Sequence, residues 1–297
     1  MSAPSLKELL AGAQLPALPQ SAICLLELSQ DPDNGPPEFA VPIEADAGLA
    51  SQILKFVNSS YFGFSREISN IRQAITLVGV RTIKNYALWS AVFSLMPNPK
   101  CGPFDLKCLW QDSLRRGLFA RRLGKALGLR DAEDLFASAL LQDMAVPLLA
   151  KELPAEYREL IERRGSEQVR LSELERERFG WTHGEAAGFV CRAWSLPEQF
   201  AELIETHTEL EQLEAAAKPN PAKVAVAISS LLPASNDSQW WERPAFERAM
   251  AKFAPNQSIA ELAAAVDEDF AQFAPLLKIS APTRTLADYL ACEAVAS

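Results

Sequence analysis

Leu140-Leu141-Gln142-Asp143-Met144-Ala145-Val146 places one carboxylate in an otherwise apolar run. Burying a carboxylate is costly unless it is paired, hydrogen-bonded or bound to a metal. Asp143 therefore reads either as a satisfied structural acid or as part of a metal or ligand site. The run falls inside a predicted helix over residues 131–151. Other segments carry the same period. Leu49, Ile53, Phe56 and Val57 share one side of residues 47–58, and Val80, Ile83, Ala87, Val92 and Leu95 share one side of 79–96. Further helices are expected at 5–12, from about 19, and at 105–127, 154–163, 168–179, 182–194, 197–207, 222–232, 258–277 and 285–295. Ser5-x-x-Glu8, Thr182-x-x-Glu185, Ser258-x-x-Glu261 and Thr285-x-x-Asp288 have capping-box spacing or a close variant. No segment reads strongly as a strand.

Composition points the same way. The 297 residues include 46 Ala and 40 Leu but only 31 Val, Ile and Thr together. Ala and Leu favour helix and β-branched residues favour strands, so a sandwich or doubly wound sheet is disfavoured. The prolines of Pro97-Asn98-Pro99-Lys100-Cys101-Gly102-Pro103 break the helical pattern and mark a boundary between two lobes. The expected organisation is a helical lobe at 1–97, a second at 104–232, and C-terminal helices at 233–297 packed on the second.

The formal charge of −9 disfavours broad nucleic-acid binding. No apolar stretch is long enough to span a membrane, and no secretory leader is seen at the N-terminus. Five cysteines without a C-x-x-C pair read as reduced, mostly buried thiols of a cytoplasmic protein.

Only two histidines occur, His183 and His207, which excludes a site built on three His ligands. His183 reads as a half-exposed residue in the first turn of a helix. His207 reads as the end of one, where the helix dipole favours a protonated ring. With Asp143 they fall short of a full metal sphere, which Gln142 or Asp112 could supplement. Arg115, Arg116, Arg121, Arg122, Lys125 and Arg130 read as a solvated cationic face, with Arg115, Arg121 and Arg122 as candidate anion contacts. The acidic run Glu198, Glu202, Glu205, Glu209, Glu211 and Glu214 has the complementary sign and either pairs with that face or solvates its own helix. No G-x-x-x-x-G-K-[ST], G-x-G-x-x-G or G-x-S-x-G occurs.

Five ordered blocks together resemble the HDOD family, relatives of the HD-domain phosphohydrolases. They are Leu15-Pro16-Ala17-Leu18-Pro19 with the helix ending at Asp31-Pro32; Asp46-Ala47-Gly48-Leu49-Ala50, Leu54-Lys55-Phe56-Val57-Asn58-Ser59 and Tyr61-Phe62-Gly63; Ile68-Ser69-Asn70-Ile71, Ala74-Ile75 and Leu77-Val78-Gly79; Leu140-Leu141-Gln142-Asp143-Met144; and Glu177 to His183, through Gly188, to Trp194-Ser195-Leu196-Pro197. The resemblance covers about residues 15–232 and implies an all-α, HD-like multi-helix bundle in two packed lobes.

The resemblance also implies a fate for the site. HD enzymes hold metal with a separate His, a His-Asp pair and a later Asp. Asp112 stands at the first position, Gln142 replaces the His of the pair, Asp143 keeps its Asp, and Ser229-Ser230 stand where the later Asp is expected. His183 and His207 match two further His positions that some HD relatives use around a second metal. Without those ligands a metal would be held poorly and water activation would fail. The expectation is a non-catalytic bacterial regulator acting through protein partners. Its degenerate pocket, Asp112, Gln142, Asp143, His183 and His207, could take a small-molecule or nucleotide ligand. No cofactor is expected; a metal, if held, would use Asp143, His183 and His207. The alternative is a surviving metal-dependent phosphohydrolase. HDOD relatives are often joined to receiver or cyclic-dinucleotide domains, and none is expected within this chain.

Overall fold

Caps and prolines decide where the helices begin and end. In the computed structural model, which describes residues 5–13, 15–31 and 33–292, Ser5 and Thr182 each accept the N–H three residues on, and Glu8 and Glu185 reach back to the cap. Thr285 and Asp288 exchange the same pair of bonds. The helices are α1 (Leu6–Gly12), α2 (Gln20–Leu28), α3 (Pro36–Ala45), α4 (Ala47–Val57), α5 (Ile71–Val78) and α6 (Val80–Leu95). They continue with α7 (Leu106–Ala126), α8 (Ala132–Leu141), α9 (Ala145–Glu152), α10 (Pro154–Glu167), α11 (Leu171–Phe179) and α12 (His183–Ala193). The last are α13 (Glu198–Glu205), α14 (Leu210–Ala215), α15 (Pro221–Ser229), α16 (Arg243–Phe253), α17 (Ile259–Phe273) and α18 (Leu286–Cys292). Two 3-10 turns, Thr206–Thr208 and Ala274–Leu277, follow α13 and α17. No strand occurs among the described residues.

Three differences from the sequence reading have local causes. The helix expected over 131–151 is two helices, broken at Gln142-Asp143-Met144. Pro147 has no N–H to give to the Asp143 carbonyl, and its ring would clash there, so α9 restarts after the break. α3 was not expected because it contains three prolines. Pro36 and Pro37 occupy its first turn, where the N–H is free anyway, and only Pro42 lies inside. The helix expected from 168 begins at Leu171, because Gln168 takes a left-handed φ of 55° that ends α10. The expected last helix, to Val295, is described only as far as Cys292; Pro32 and residues 293–297 lie outside the described residues.

α7 is the axis of the molecule. Leu114, Leu118, Phe119 and Leu123 are buried, and α8, α15 and α17 pack around it. Its approach to α8 is set by Gly117: a Cβ there would lie 2.9 Å from the Phe136 carbonyl oxygen. The buried apolar residues form one continuous cluster from Leu10 to Tyr289. Residues after 233 join it through α17, which packs on α7 and sets the Phe273 ring 5.8 Å from those of Phe56 and Phe136. Within that segment the Tyr289 hydroxyl donates to the Ala234 and Asp237 carbonyls at 3.1 and 2.7 Å. Two quoted sequence blocks meet at Asn58, whose side chain pairs with both the N–H and C=O of Ile68 at 2.7 Å. The first and fifth meet where the Trp194 indole donates to the Pro16 carbonyl at 2.9 Å. The acidic run does not pair with α7: Glu198 and Glu205 bind Arg192, and Glu202 binds Lys223. All five cysteines are free, but only Cys101 and Cys191 are buried. No helix of the described residues is long and apolar enough to cross a membrane.

Substitution separates the two kinds of helix glycine. Gly117→Ala is expected to destabilise by about 1–3 kcal/mol, because the Phe136 backbone cannot yield. Gly165→Ala, in the exposed last turn of α10 with no atom within 4 Å, is expected to stabilise by about 0.4–1 kcal/mol. Urea midpoints of the two variants check the contrast.

Candidate functional site

The break between α8 and α9 turns Asp143 toward a polar cleft of about 520 Å³. α7 supplies Arg116, whose Nη1 binds Asp143 Oδ2. α12 and the turn after α13 supply His183 and His207, whose Nε2 atoms lie 3.3 and 3.5 Å from Asp143 Oδ1 and 3.1 Å from each other. The two rings come this close because residue 184 is glycine: a Cβ there would lie 2.7 Å from the Glu205 carbonyl oxygen. Both histidines are buried, which corrects the half-exposed reading of His183.

Each ring is held from behind. His183 donates Nδ1–H and its own backbone N–H to Glu175 Oε2, both at 2.7 Å. The backbone N–H is free for this because His183 opens α12. The Tyr157 hydroxyl donates to Glu175 Oε1 at 2.7 Å. His207 donates Nδ1–H to the Ile204 carbonyl at 2.6 Å, leaving its Nε2 lone pair facing His183. The helix-dipole reading of a charged His207 is therefore overturned: burial pushes its pKa down despite Asp143. Burial also works against charge on His183, but Glu175 and Asp143 outweigh it and push the pKa up to about 9. Burial opposes ionisation of Asp143 as well, yet Arg116 and the two histidines hold its carboxyl well below the usual carboxylate range.

The remaining expected residues part ways. Asp112 Oδ1 accepts the Ser235 N–H and hydroxyl at 2.7 and 2.5 Å, and burial raises its pKa despite Arg116 and Arg115. Gln142 is buried and meets Ser229 at 3.4 Å, so two positions that the resemblance marks as altered ligands face each other as neutral groups. The Gln142 Nε2 has no hydrogen-bond partner. The reading of Arg115, Arg116, Arg121, Arg122, Lys125 and Arg130 as one solvated face is corrected, since Arg115 and Arg121 are buried. Arg115 is buried on the Pro233 and Arg284 carbonyls, while Arg121 and Arg122 share Asp269. Arg116, grouped with them in the sequence, is the one that reaches Asp143. Its spacing from Asp112, one helical turn at i,i+4, was the available signal. Glu175 and Tyr157 gave none, since only tertiary packing brings them to His183.

The fit to a metal divides in two. Asp143 Oδ1 and the two Nε2 atoms lie close enough together that Asp143, His183 and His207 would be the residues to hold an ion, and both imidazoles have the outer hydrogen bond usual for metal-ligating histidines. The fuller HD set does not fit, because Asp112 is committed to Ser235 and Gln142 and Ser229 are neutral.

The charged state of His183 gives a sign for pH dependence. Its folded pKa lies above the unfolded value of about 6.5, so its contribution is complete below that value and is lost as pH rises toward 9. Thermal melts from pH 6 to 9.5 are expected to show stability falling across that window. In His183→Gln this fall should be largely absent.

The HDOD domain model matches residues 15–210. An uncharacterized protein of Treponema pallidum (strain Nichols) is 25% identical over 214 residues, 72% of this chain and 41% of that protein. The chain thus spans about two fifths of that relative's length. A candidate phosphohydrolase from Shewanella amazonensis SB2B superposes with a TM-score of 0.70 at 18% identity, covering 94% of this chain and 99% of that one. A candidate signal transduction protein from Marinobacter aquaeolei VT8 gives 0.68 at 18%, covering 93% and 62%. These two likenesses show the fold. The family match spans most of the chain and includes Asp143 and His183, and the chain belongs to the HDOD family.

Proposed function

We propose that the protein is a non-catalytic regulatory module of signal transduction. It acts through protein partners in the cytoplasm of a bacterium, and its polar cleft is a pocket for a small molecule or nucleotide. The observation that carries this reading is the state of Asp143. Its carboxylate is neutralised by the guanidinium of Arg116, a cation that cannot ionise a water molecule as a metal can. The neighbouring positions offer no replacement ligand: Gln142 and Ser229 are neutral, and Asp112 is bound to Ser235. A pocket of this kind still presents hydrogen-bonding groups, among them Arg164 paired with Asp237 and Arg170 bound to Ser230. The name of the Marinobacter protein is of the same kind.

A second reading rests on the convergence of Asp143, His183 and His207. It is a metal-dependent phosphohydrolase with one ion held by those three residues, and the name of the Shewanella protein is of that kind. The bound ion would supply the charge that activates water. This reading requires Asp143 to serve Arg116 and the ion together.

Hydrolysis of p-nitrophenyl phosphate, its bis ester and cyclic dinucleotides, with Mn²⁺, Fe²⁺ or Ni²⁺ added, separates the two. The expected result is background turnover in wild type and in Asp143→Ala alike. Turnover in wild type that Asp143→Ala abolishes would establish the hydrolase and overturn the regulator.

A further inference from the structure

A second cleft, of about 590 Å³, shares no lining residue with the polar one. Three parts of the chain wall it. Tyr61 and Phe62 follow α4, Tyr86 and Trp89 stand on α6, and Phe273 comes from α17. Such a volume is in the range of small-molecule sites, roughly 300–1,000 Å³. Aromatic walls favour a flat ring, which they contact by face or edge.

α7 crosses this cleft from its depth to its mouth. The side chains of Arg121, Arg122 and Lys125 are 3%, 35% and 57% exposed in turn. Arg121 and Arg122 share one carboxylate: Asp269 lies 3.3 Å from the first and 2.7 Å from the second. Glu133 is shared as well, 3.9 Å from Arg121 and 3.6 Å from Lys125. Three cations therefore meet two acids. The third acid along the cleft, Glu268, is exposed and acts on Arg122 through space, so cations and acids balance over the lining as a whole. The rings of Tyr61, Phe136 and Phe273 lie 4.9–5.1 Å from the buried Arg121 guanidinium, which they hold by cation–π contact. Two exposed apolar residues mark the opening. Leu77 lines it, and Phe64 stacks on Phe62 at 6.0 Å.

We propose that this cleft binds a small planar aromatic molecule carrying one negative charge. The ring lies among Tyr61, Phe62 and Tyr86, and the anionic group meets Arg122 and Lys125, the two cations exposed toward the mouth. Such a ligand touches the N-terminal helices, α7 and α17 at once. The proposal is independent of the function of the polar cleft.

The test uses 8-anilinonaphthalene-1-sulfonate, a planar aromatic anion, and its uncharged counterpart N-phenyl-1-naphthylamine, titrated calorimetrically into the full chain. The expected result is one sulfonate per chain, with the uncharged probe weaker by about tenfold or more, the loss of one charge-assisted contact. Arg122→Gln should weaken the sulfonate by a similar factor and leave the uncharged probe unchanged. Leu77→Glu, an exposed change at the mouth that the fold tolerates, should also weaken the sulfonate. Trp241→Ala, in the polar cleft, should not. Absence of sulfonate binding, equal affinity for the two probes, or sensitivity to Trp241→Ala but not to Leu77→Glu would each overturn the proposal.

Discussion

The ion pair between Arg116 and Asp143 is the contact on which the site depends. Asp143 sits at a helix break forced by Pro147, deep among apolar residues. An unpaired carboxylate there would carry a large desolvation penalty, and removing one partner of a buried pair typically costs about 3–5 kcal/mol. Arg116 removes that penalty with one oxygen of Asp143, which leaves the other oxygen to the two histidines. From that point a single chain of hydrogen bonds runs outward. His183 leads to Glu175 and Tyr157, and His207 leads to the Ile204 carbonyl. Five elements, α7, α10, α11, α12 and the turn after α13, are fixed by one polar network inside an apolar bundle. A buried network of this kind specifies one packing where apolar contacts alone would allow several, although the Arg116 Nε finds no partner in it among the described residues.

Much of this was legible in the sequence, and the illegible part has a physical cause. Helical period and capping residues located most helices, since both are local properties. The α8–α9 break was written in Pro147, but the apolar period ran through it and hid the interruption. α3 was hidden in the opposite way, by prolines that a first helical turn accepts. Asp143, His183 and His207 stood out as rare polar groups near apolar runs, and the structure brings them together. Arg116 was visible only as one of several cations, because its role depends on which side of α7 faces the break. Burial reversed the reading of that whole group: Arg115 and Arg121 fasten the core instead of facing solvent. Glu175 lies 0% exposed beneath His183, a placement that no local pattern encodes.

Under the proposed regulatory reading the site keeps its architecture and gives up catalysis. Positions that bear metal ligands in the HD enzymes, as the family resemblance implies, remain adjacent here: Gln142 still faces Ser229. What differs from the donors that the resemblance implies is the chemistry between them, neutral amide and hydroxyl in place of imidazole and carboxylate. Such a site retains shape and polarity and so retains the means to bind and to respond. The three-donor spacing of Asp143, His183 and His207 is the part of the older chemistry that the geometry preserves, and it is also where the account is most exposed to contradiction.

The most direct test is thermal unfolding of wild type and Arg116→Met, each with and without EDTA, alongside the metal content of the purified protein. If Arg116 is the cation that the site depends on, chelation leaves the wild-type melting temperature unchanged and Arg116→Met melts several degrees lower. A wild-type protein that carries one ion per chain and loses stability on chelation would contradict the account.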